Sequence, residues 1–124
     1  MPDDPAPLSP GLYLVATPIG AARDITLRAL DILASADVIA AEDTRSARHL
    51  MQIHGIAPGQ RPVVAYHDHS SGGVRERLLA AIAEGKSVAY VSDAGTPLVA
   101  DPGYRLVQDA IAAGLPLTVA PGPS

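Results

Sequence analysis

The feature that most constrains this fold is a strict alternation of short apolar runs and helical patterns along 124 residues. Strands are predicted at five such runs: Leu12–Val15, Val38–Ala41, Val63–Tyr66, Lys86–Val91 and Leu117–Val119. Four helices are predicted between them: from Asp24 as N-cap to about Ala36, from Asp43 or Thr44 to about Ile53, Val74–Ala83, and Tyr104–Ala112. Because such alternation requires crossover connections, the sequence predicts an α/β fold with a mostly parallel five-stranded sheet flanked by helices.

Composition limits both the core and the class of protein. Hydrophobic residues make up 48% of the chain but include no Phe and no Trp, so the core must be aliphatic. The chain has no Cys, which excludes disulfides and thiolate sites. No apolar run approaches membrane-spanning length, and we expect a cytoplasmic protein without membrane contact. The net charge of −4 argues against a dedicated nucleic-acid binder, although an enzyme can contact RNA with part of its surface.

The segment Val88–Tyr104 is the strongest candidate for a binding site. A β-rich run ends in a loop of small residues, two prolines and two carboxylates, and a helical pattern follows. Open α/β sheets bind ligands just beyond the carboxyl ends of their strands, where Gly95 allows close approach to the backbone. Asp101 is expected to cap the following helix. The glycine motifs of dinucleotide-binding folds, phosphate-binding loops and nucleophile elbows are absent from the sequence.

Two polar segments are further candidates. The segment Glu42-Asp43-Thr44-Arg45 follows the second strand. Its side chains could orient a ribose or a catalytic group. Alternatively, Asp43 could cap the helix while Arg45 pairs with Glu42. Arg45, Arg48 and His49 share one helix face, which could meet a phosphate or simply face solvent. His67-Asp68-His69 has metal-ligand residue types, but successive residues of an extended segment point to opposite sides, and we predict no metal. His67 remains a candidate base or RNA contact.

Several segments together resemble the tetrapyrrole methylase superfamily. They are Leu12-Tyr-Leu-Val-Ala-Thr-Pro-Ile-Gly20 with Asp24-Ile-Thr-Leu-Arg-Ala-Leu30, Ala40-Ala-Glu-Asp-Thr-Arg45, Val91-Ser-Asp-Ala-Gly-Thr-Pro97 with Asp101-Pro-Gly-Tyr-Arg105, and Pro121-Gly-Pro-Ser124. The combination is similar to the branch that methylates the ribose 2′-hydroxyl of a cytidine in small-subunit (16S) ribosomal RNA. The chain departs from that branch at Ala21, where an Asn is usual.

The resemblance implies S-adenosylmethionine as cofactor, ribosomal RNA or the 30S particle as substrate, and a homodimer. The Pro- and Asp-rich start of the chain predicts a flexible leader at 1–11. The resemblance also implies an N-terminal α/β domain at 12–120 and the start of an interdomain linker at 121–124, with a C-terminal domain missing. Since the family binds its cofactor between two domains, half of the cleft would be absent. The cofactor residues carried over are Thr17, Pro18, Ile19, Asp93, Ala94, Gly95, Thr96, Val99 and Ser124.

For the reaction itself, the candidates are Asp43, Arg45 and His67, with Asp43 or His67 assisting the ribose hydroxyl. Two alternatives stay open. One is a methyltransferase acting on a tetrapyrrole precursor, which shares the fold and the cofactor. The other is a non-catalytic dimerisation or ligand-binding module, because a one-sided cleft is expected to bind the cofactor poorly.

Overall fold

A computed structural model describes residues 8–17, 25–66, 73–93 and 102–120. Strands and helices alternate along these segments as predicted, which confirms the α/β class. The elements are β1 (Gly11–Thr17), α1 (Leu27–Ser35), β2 (Val38–Ala41), α2 (Thr44–Ile53), β3 (Val63–Ala65), α3 (Gly73–Ala83), β4 (Ser87–Asp93), α4 (Pro102–Ala112) and β5 (Leu117–Ala120).

The five strands form one sheet in the order β3-β2-β4-β1-β5, and every pairing between neighbours is parallel. The central strand is β4, which is apolar and buried on both faces from Val88 to Val91. In the register of β1 with β4, Gly11 lies beside Ser87 and Thr17 lies beside Asp93, so the two strands begin and end together. The order of the strands, which the sequence left open, therefore brings the first and fourth strands side by side.

The sheet separates two hydrophobic clusters. One face packs against α1 and α2 through side chains that include Ile32, Leu33 and Met51. The other packs against α3 and α4 through Leu78, Ile82 and Leu106. This distribution follows from handedness, because right-handed crossovers that move in opposite directions along a parallel sheet place their helices on opposite faces.

Local boundaries differ from the predictions in several places. The prediction of Asp24 as the first N-cap is wrong: α1 begins at Leu27, and the Thr26 side chain accepts a hydrogen bond of 3.1 Å from the Ala29 amide. Ile25, next to this cap, is buried in the first cluster, so the chain turns into the helix only after it. Helix α2 ends before Gly55, which has a φ of 72°, as expected of a glycine that stops a helix.

The amino-terminal boundary of the packed domain also lies earlier than expected. Strand β1 begins at Gly11, and Leu8 packs against the first hydrophobic cluster. The Tyr13 hydroxyl donates a hydrogen bond of 2.7 Å to the Ser9 carbonyl. The leader predicted at residues 1–11 therefore overlaps the packed domain from Leu8 onward.

The amino edge of the sheet is held by polar contacts that the sequence analysis did not identify. The Arg61 guanidinium donates to the carbonyls of Leu33 at 2.6 Å and Ala36 at 3.0 Å, and to the nearby carbonyls of Ala57 and Pro58. Desolvation by burial lowers the pKa of Arg61, and the neighbouring charge of Asp37 opposes that shift. Arg61 therefore ties the end of α1 to the loop before β3.

Candidate functional site

The candidate site lies at the carboxyl ends of β1 and β4. These neighbouring strands end together at Thr17 and Asp93, and their connections lead to α1 and α4 on opposite faces of the sheet. In open α/β sheets, a ligand crevice forms at neighbouring strands whose connections diverge in this way. The strand order thus brings Thr17 and Asp93, two of the predicted cofactor residues, to one point.

The other predicted cofactor residues follow these two strand ends or end the chain, and they lie outside the described residues. Pro18 and Ile19 come directly after β1, and Ala94, Gly95 and Thr96 come directly after β4. Val99 and Ser124 are also outside the described segments. Their contacts with a cofactor stay predictions, and so does the effect of Ala21.

Small side chains are common among the last residues of β1, β2 and β4 at this edge. Ala16 of β1 lies beside Ser92 of β4, and Ala41 at the end of β2 lies beside Val91. Ala16 and Ser92 are half-buried, whereas Ala41 and Val91 are buried, so the ends of β1 and β4 are the more exposed part of this edge. The small side chains at this edge are compatible with the binding site that the sequence predicts after β4.

Asp43 is the N-cap of α2. One carboxylate oxygen accepts hydrogen bonds from the amides of Arg45 at 3.0 Å and Ser46 at 3.4 Å, and the other accepts one from the Ser46 hydroxyl at 3.1 Å. These hydrogen bonds from Ser46, and then that from Arg45, lower the pKa of Asp43 below its ordinary value. The capping interpretation is confirmed. A carboxylate with a lowered pKa is also a weaker base, which disfavours Asp43 for proton abstraction.

Arg45 is the second residue of α2 and projects its side chain into solvent at the same sheet edge. Arg48 and His49 are also exposed, one turn further along this helix. The structure therefore confirms a solvent-facing basic patch on the first half of α2. Its position directly after the end of β2 is compatible with an anionic substrate that approaches the carboxyl edge of the sheet.

His67 lies outside the described residues, but the residue before it is firmly held. Tyr66 is buried, its amide donates to the Ala41 carbonyl at 2.9 Å, and its ring meets that of Tyr90 edge to face at 5.8 Å. His67 therefore directly follows a buried residue that is hydrogen-bonded to the end of β2.

Arg75, near the start of α3, was missed by the sequence analysis. Its Nε lies 2.7 Å from the Asp109 carboxylate of α4. A hydrogen bond with the Tyr66 side chain, and then the charges of Asp109 and Glu76, raise its pKa. Arg75 thus links α3, α4 and the end of β3, and no local pattern in the sequence predicts a contact of this kind.

Two structural findings bear on site chemistry. Among residues 8–17, 25–66, 73–93 and 102–120, no group of three His, Cys, Asp or Glu side chains is arranged to hold a metal ion. Within the same segments, each helix is too short or too polar to cross a bilayer.

Comparison with known proteins adds sequence evidence. The model of the family described as Tetrapyrrole (Corrin/Porphyrin) Methylases matches residues 11–124. A protein from Mesorhizobium japonicum named "Ribosomal RNA small subunit methyltransferase I" is 57% identical over 118 residues, which are 95% of this chain and 39% of the relative. A protein of the same name from Escherichia coli O157:H7 is 50% identical over 112 residues, which are 90% and 38% of the two chains. The chain thus spans about two fifths of the length of these relatives.

Solved structures agree with the fold. The crystal structure of uroporphyrin-III-C-methyltransferase from Thermus thermophilus superposes with a TM-score of 0.63 and 27% identity, and covers 90% of this chain and 47% of the other. The strand arrangement described above is therefore shared with a methyltransferase of known structure.

Proposed function

Because this chain belongs to the tetrapyrrole methylase family, we propose that it forms part of an enzyme that methylates small-subunit ribosomal RNA with S-adenosylmethionine. In its finer form, the proposal is transfer to the ribose 2′-hydroxyl of a cytidine. The observation that supports it most is the 57% identity to a relative named as a ribosomal RNA small subunit methyltransferase. The diverging ends of β1 and β4 support it further, because open α/β sheets bind ligands at such a position.

The residues proposed to hold the cofactor are those at and after these strand ends. Thr17, Pro18 and Ile19 would line one side, and the segment from Asp93 to Val99 the other, with Ser124 contributing from beyond β5. The small side chains of Ala16 and Ser92, which directly precede Thr17 and Asp93, are compatible with this assignment. When bound, S-adenosylmethionine supplies a methyl group activated by a sulfonium. The protein's own task is therefore mainly to position the acceptor and to exclude water.

The side chains proposed to act on the acceptor have different roles. A ribose hydroxyl is a poor nucleophile, so a group that accepts its proton assists the reaction. Of the two predicted bases, His67 suits this role better, since hydrogen bonds at the start of α2 engage Asp43 and lower its pKa. Asp43 would instead hold the first turn of α2 in place, and Arg45 on that turn would contact the RNA.

The domain organisation is proposed from the extent of the match. Since the chain covers 39% of its relative, we infer that residues 12–120 form one domain of a two-domain subunit whose second domain completes the cleft. Residues 121–124 would begin the connection. A ribosomal substrate implies an enzyme of the cytoplasm, and the family resemblance implies a homodimer, which sedimentation of the natural polypeptide can test.

The decisive experiment uses the natural polypeptide that contains this chain, purified small ribosomal subunits, and S-adenosylmethionine labelled in its methyl group. We expect the label in ribosomal RNA and, after alkaline hydrolysis, in a dinucleotide that begins with cytidine, because a 2′-O-methyl group blocks cleavage. Label on a base, or no label in RNA, would contradict the proposal.

A second candidate follows from the solved structure of uroporphyrin-III-C-methyltransferase, whose fold this chain shares at 27% identity. Offering uroporphyrinogen III in the same assay separates the two activities, since only the tetrapyrrole enzyme would label it. A binding role for the chain on its own is tested by titrating it calorimetrically with S-adenosylmethionine. Micromolar affinity would show that the second domain is not needed for cofactor binding.

A further inference from the structure

Arginine is distributed unevenly along the helices. In a parallel sheet all four helices begin at the carboxyl edge, where the candidate crevice lies. Every arginine of the described helices lies within the first five residues of its helix: Arg28 in α1, Arg45 and Arg48 in α2, Arg75 and Arg77 in α3, and Arg105 in α4. None of these helices has a basic residue in its last turn.

This placement opposes the electrostatics of the helices. The amino end of a helix carries a partial positive charge, so cations stabilise the last turn and destabilise the first. Three of the four helices also lack an acidic residue in the first turn, where it would be favourable. Helix electrostatics therefore does not account for Arg28, Arg45 and Arg105, which lie in the first turns, whereas an anionic partner at the carboxyl edge does. Arg48 and Arg77 follow one turn later at the same ends of their helices.

Five of the six arginines are available for such a partner. Arg75 is occupied by its ion pair with Asp109. The side chains of the other five are exposed and form no ion pair with other described residues. We name these five the arginine rim: Arg28, Arg45, Arg48, Arg77 and Arg105.

The arginine rim lies on both sides of the sheet. Arg28, Arg45 and Arg48 belong to the α1/α2 layer, and Arg77 and Arg105 belong to the α3/α4 layer. A small anion cannot reach all five, because the two layers are separated by the thickness of the sheet. The whole chain carries a net charge of −4, and the same edge also holds the acidic residues Glu42, Asp43 and Glu76. The rim therefore consists of separate cationic positions and not of a uniformly basic surface.

We propose that the arginine rim is the docking surface for the phosphate backbone of the substrate RNA. The proposal rests on the ribosomal RNA function above and assigns the residues that hold the strand beside the crevice. A polyanion with regularly spaced phosphates matches arginines spread over four helices, and guanidinium groups bind phosphate in a bidentate manner. Each phosphate contact releases counterions, so the affinity must fall as salt rises.

The test measures binding of the natural polypeptide to a fluorescently labelled, single-stranded transcript of small-subunit ribosomal RNA by anisotropy at several KCl concentrations. The variant is Arg48→Gln/Arg77→Gln, with one substitution in each layer. The control is Lys86→Gln, which removes an exposed cation near the start of β4, at the opposite edge. We expect the double variant to bind about tenfold more weakly. Its plot of log affinity against log salt should be shallower by about 1.4, or roughly 0.7 for each lost contact.

Each single variant should lose about half of this effect, and Lys86→Gln should change the affinity less than twofold. Affinity for S-adenosylmethionine and the unfolding temperature should stay unchanged in all variants. Equal affinity and salt slope in the wild type and the double variant, or an equal loss in Lys86→Gln, would overturn the inference.

Failure of the inference and failure of the proposed function give different results. If the wild-type protein methylates ribosomal RNA while the double variant binds RNA normally, the rim assignment is wrong and the function stands. If the wild-type protein methylates uroporphyrinogen III and no RNA, both are wrong.

Discussion

Replacing Arg61 with Ala should destabilise the domain strongly although this residue lies far from the candidate crevice. Its guanidinium bonds the carbonyls of Leu33 at 2.6 Å and Ala36 at 3.0 Å, more than twenty residues away in sequence. Hydrogen bonds that involve a charged group contribute about 1.5–3 kcal/mol each. The two contacts to Ala57 and Pro58 are local and partly exposed, so we add little for them. We expect a loss of about 3 kcal/mol for Arg61→Ala.

For a chain of this length, about 3 kcal/mol corresponds to a decrease of roughly 10 °C in Tm. Circular dichroism of the 124-residue chain during heating measures it. Arg61→Lys should lose about half as much, because an ammonium keeps the charge without the planar fork. Arg48→Ala is the matched control, since it removes an arginine that is exposed and has no described side-chain partner. It should change the free energy of unfolding by no more than about 0.5 kcal/mol. Equal melting of Arg61→Ala and Arg48→Ala would refute this reasoning.

Three further predictions concern α2, α4 and the loop after β4. Hydrogen bonds lower the pKa of Asp43 in the folded state below its unfolded value, near 3.8. Asp43 therefore contributes its full stabilisation above pH 3.8, and this stabilisation is lost as the pH falls through the folded pKa and the carboxylate becomes protonated. Asp43→Asn should therefore reduce the loss of stability at acid pH in a curve of unfolding free energy against pH. Because Asn also caps helices, the variant should methylate at nearly the wild-type rate. A decrease of a hundredfold or more in the methylation rate would instead identify Asp43 as the base. Leu106→Ala truncates a fully buried side chain of α4. It should lower the free energy of unfolding, measured by urea titration, by about 3 kcal/mol. A change below about 1 kcal/mol would show that α4 is loosely packed. Gly95→Val in the natural polypeptide should weaken S-adenosylmethionine binding at least tenfold by calorimetry with Tm unchanged, whereas unaltered affinity would remove this loop from the site.

The alternation of strands and helices could be read from the sequence because burial leaves a local pattern. The continuous apolar run from Val88 to Val91 is typical of a strand buried on both faces, and it became the centre of the sheet. The capping interpretation of Asp43 was also accessible, since a short acidic residue directly before a helical pattern accepts amide hydrogen bonds at close range.

Other features depend on contacts between distant segments and leave no local pattern. The order of the strands follows from tertiary packing, and so does the neighbouring position of Thr17 and Asp93. Arg61 lies in an irregular segment, and its role is set by the end of a helix more than twenty residues before it. The N-cap of α1 is Thr26 and not the predicted Asp24, and the residue before it, Ile25, is buried in the first cluster, which propensity alone does not reveal.

The central claim is that the diverging ends of β1 and β4 hold the adenosyl group of the cofactor. Amide hydrogen exchange of the natural polypeptide, with and without S-adenosylmethionine, tests it most directly. With cofactor bound, we expect slower exchange in the segments that follow Thr17 and Asp93, and unchanged exchange at Asp37 and Ser87 on the opposite edge of the sheet. Protection confined to that opposite edge, or to the outer strands β3 and β5, would contradict it.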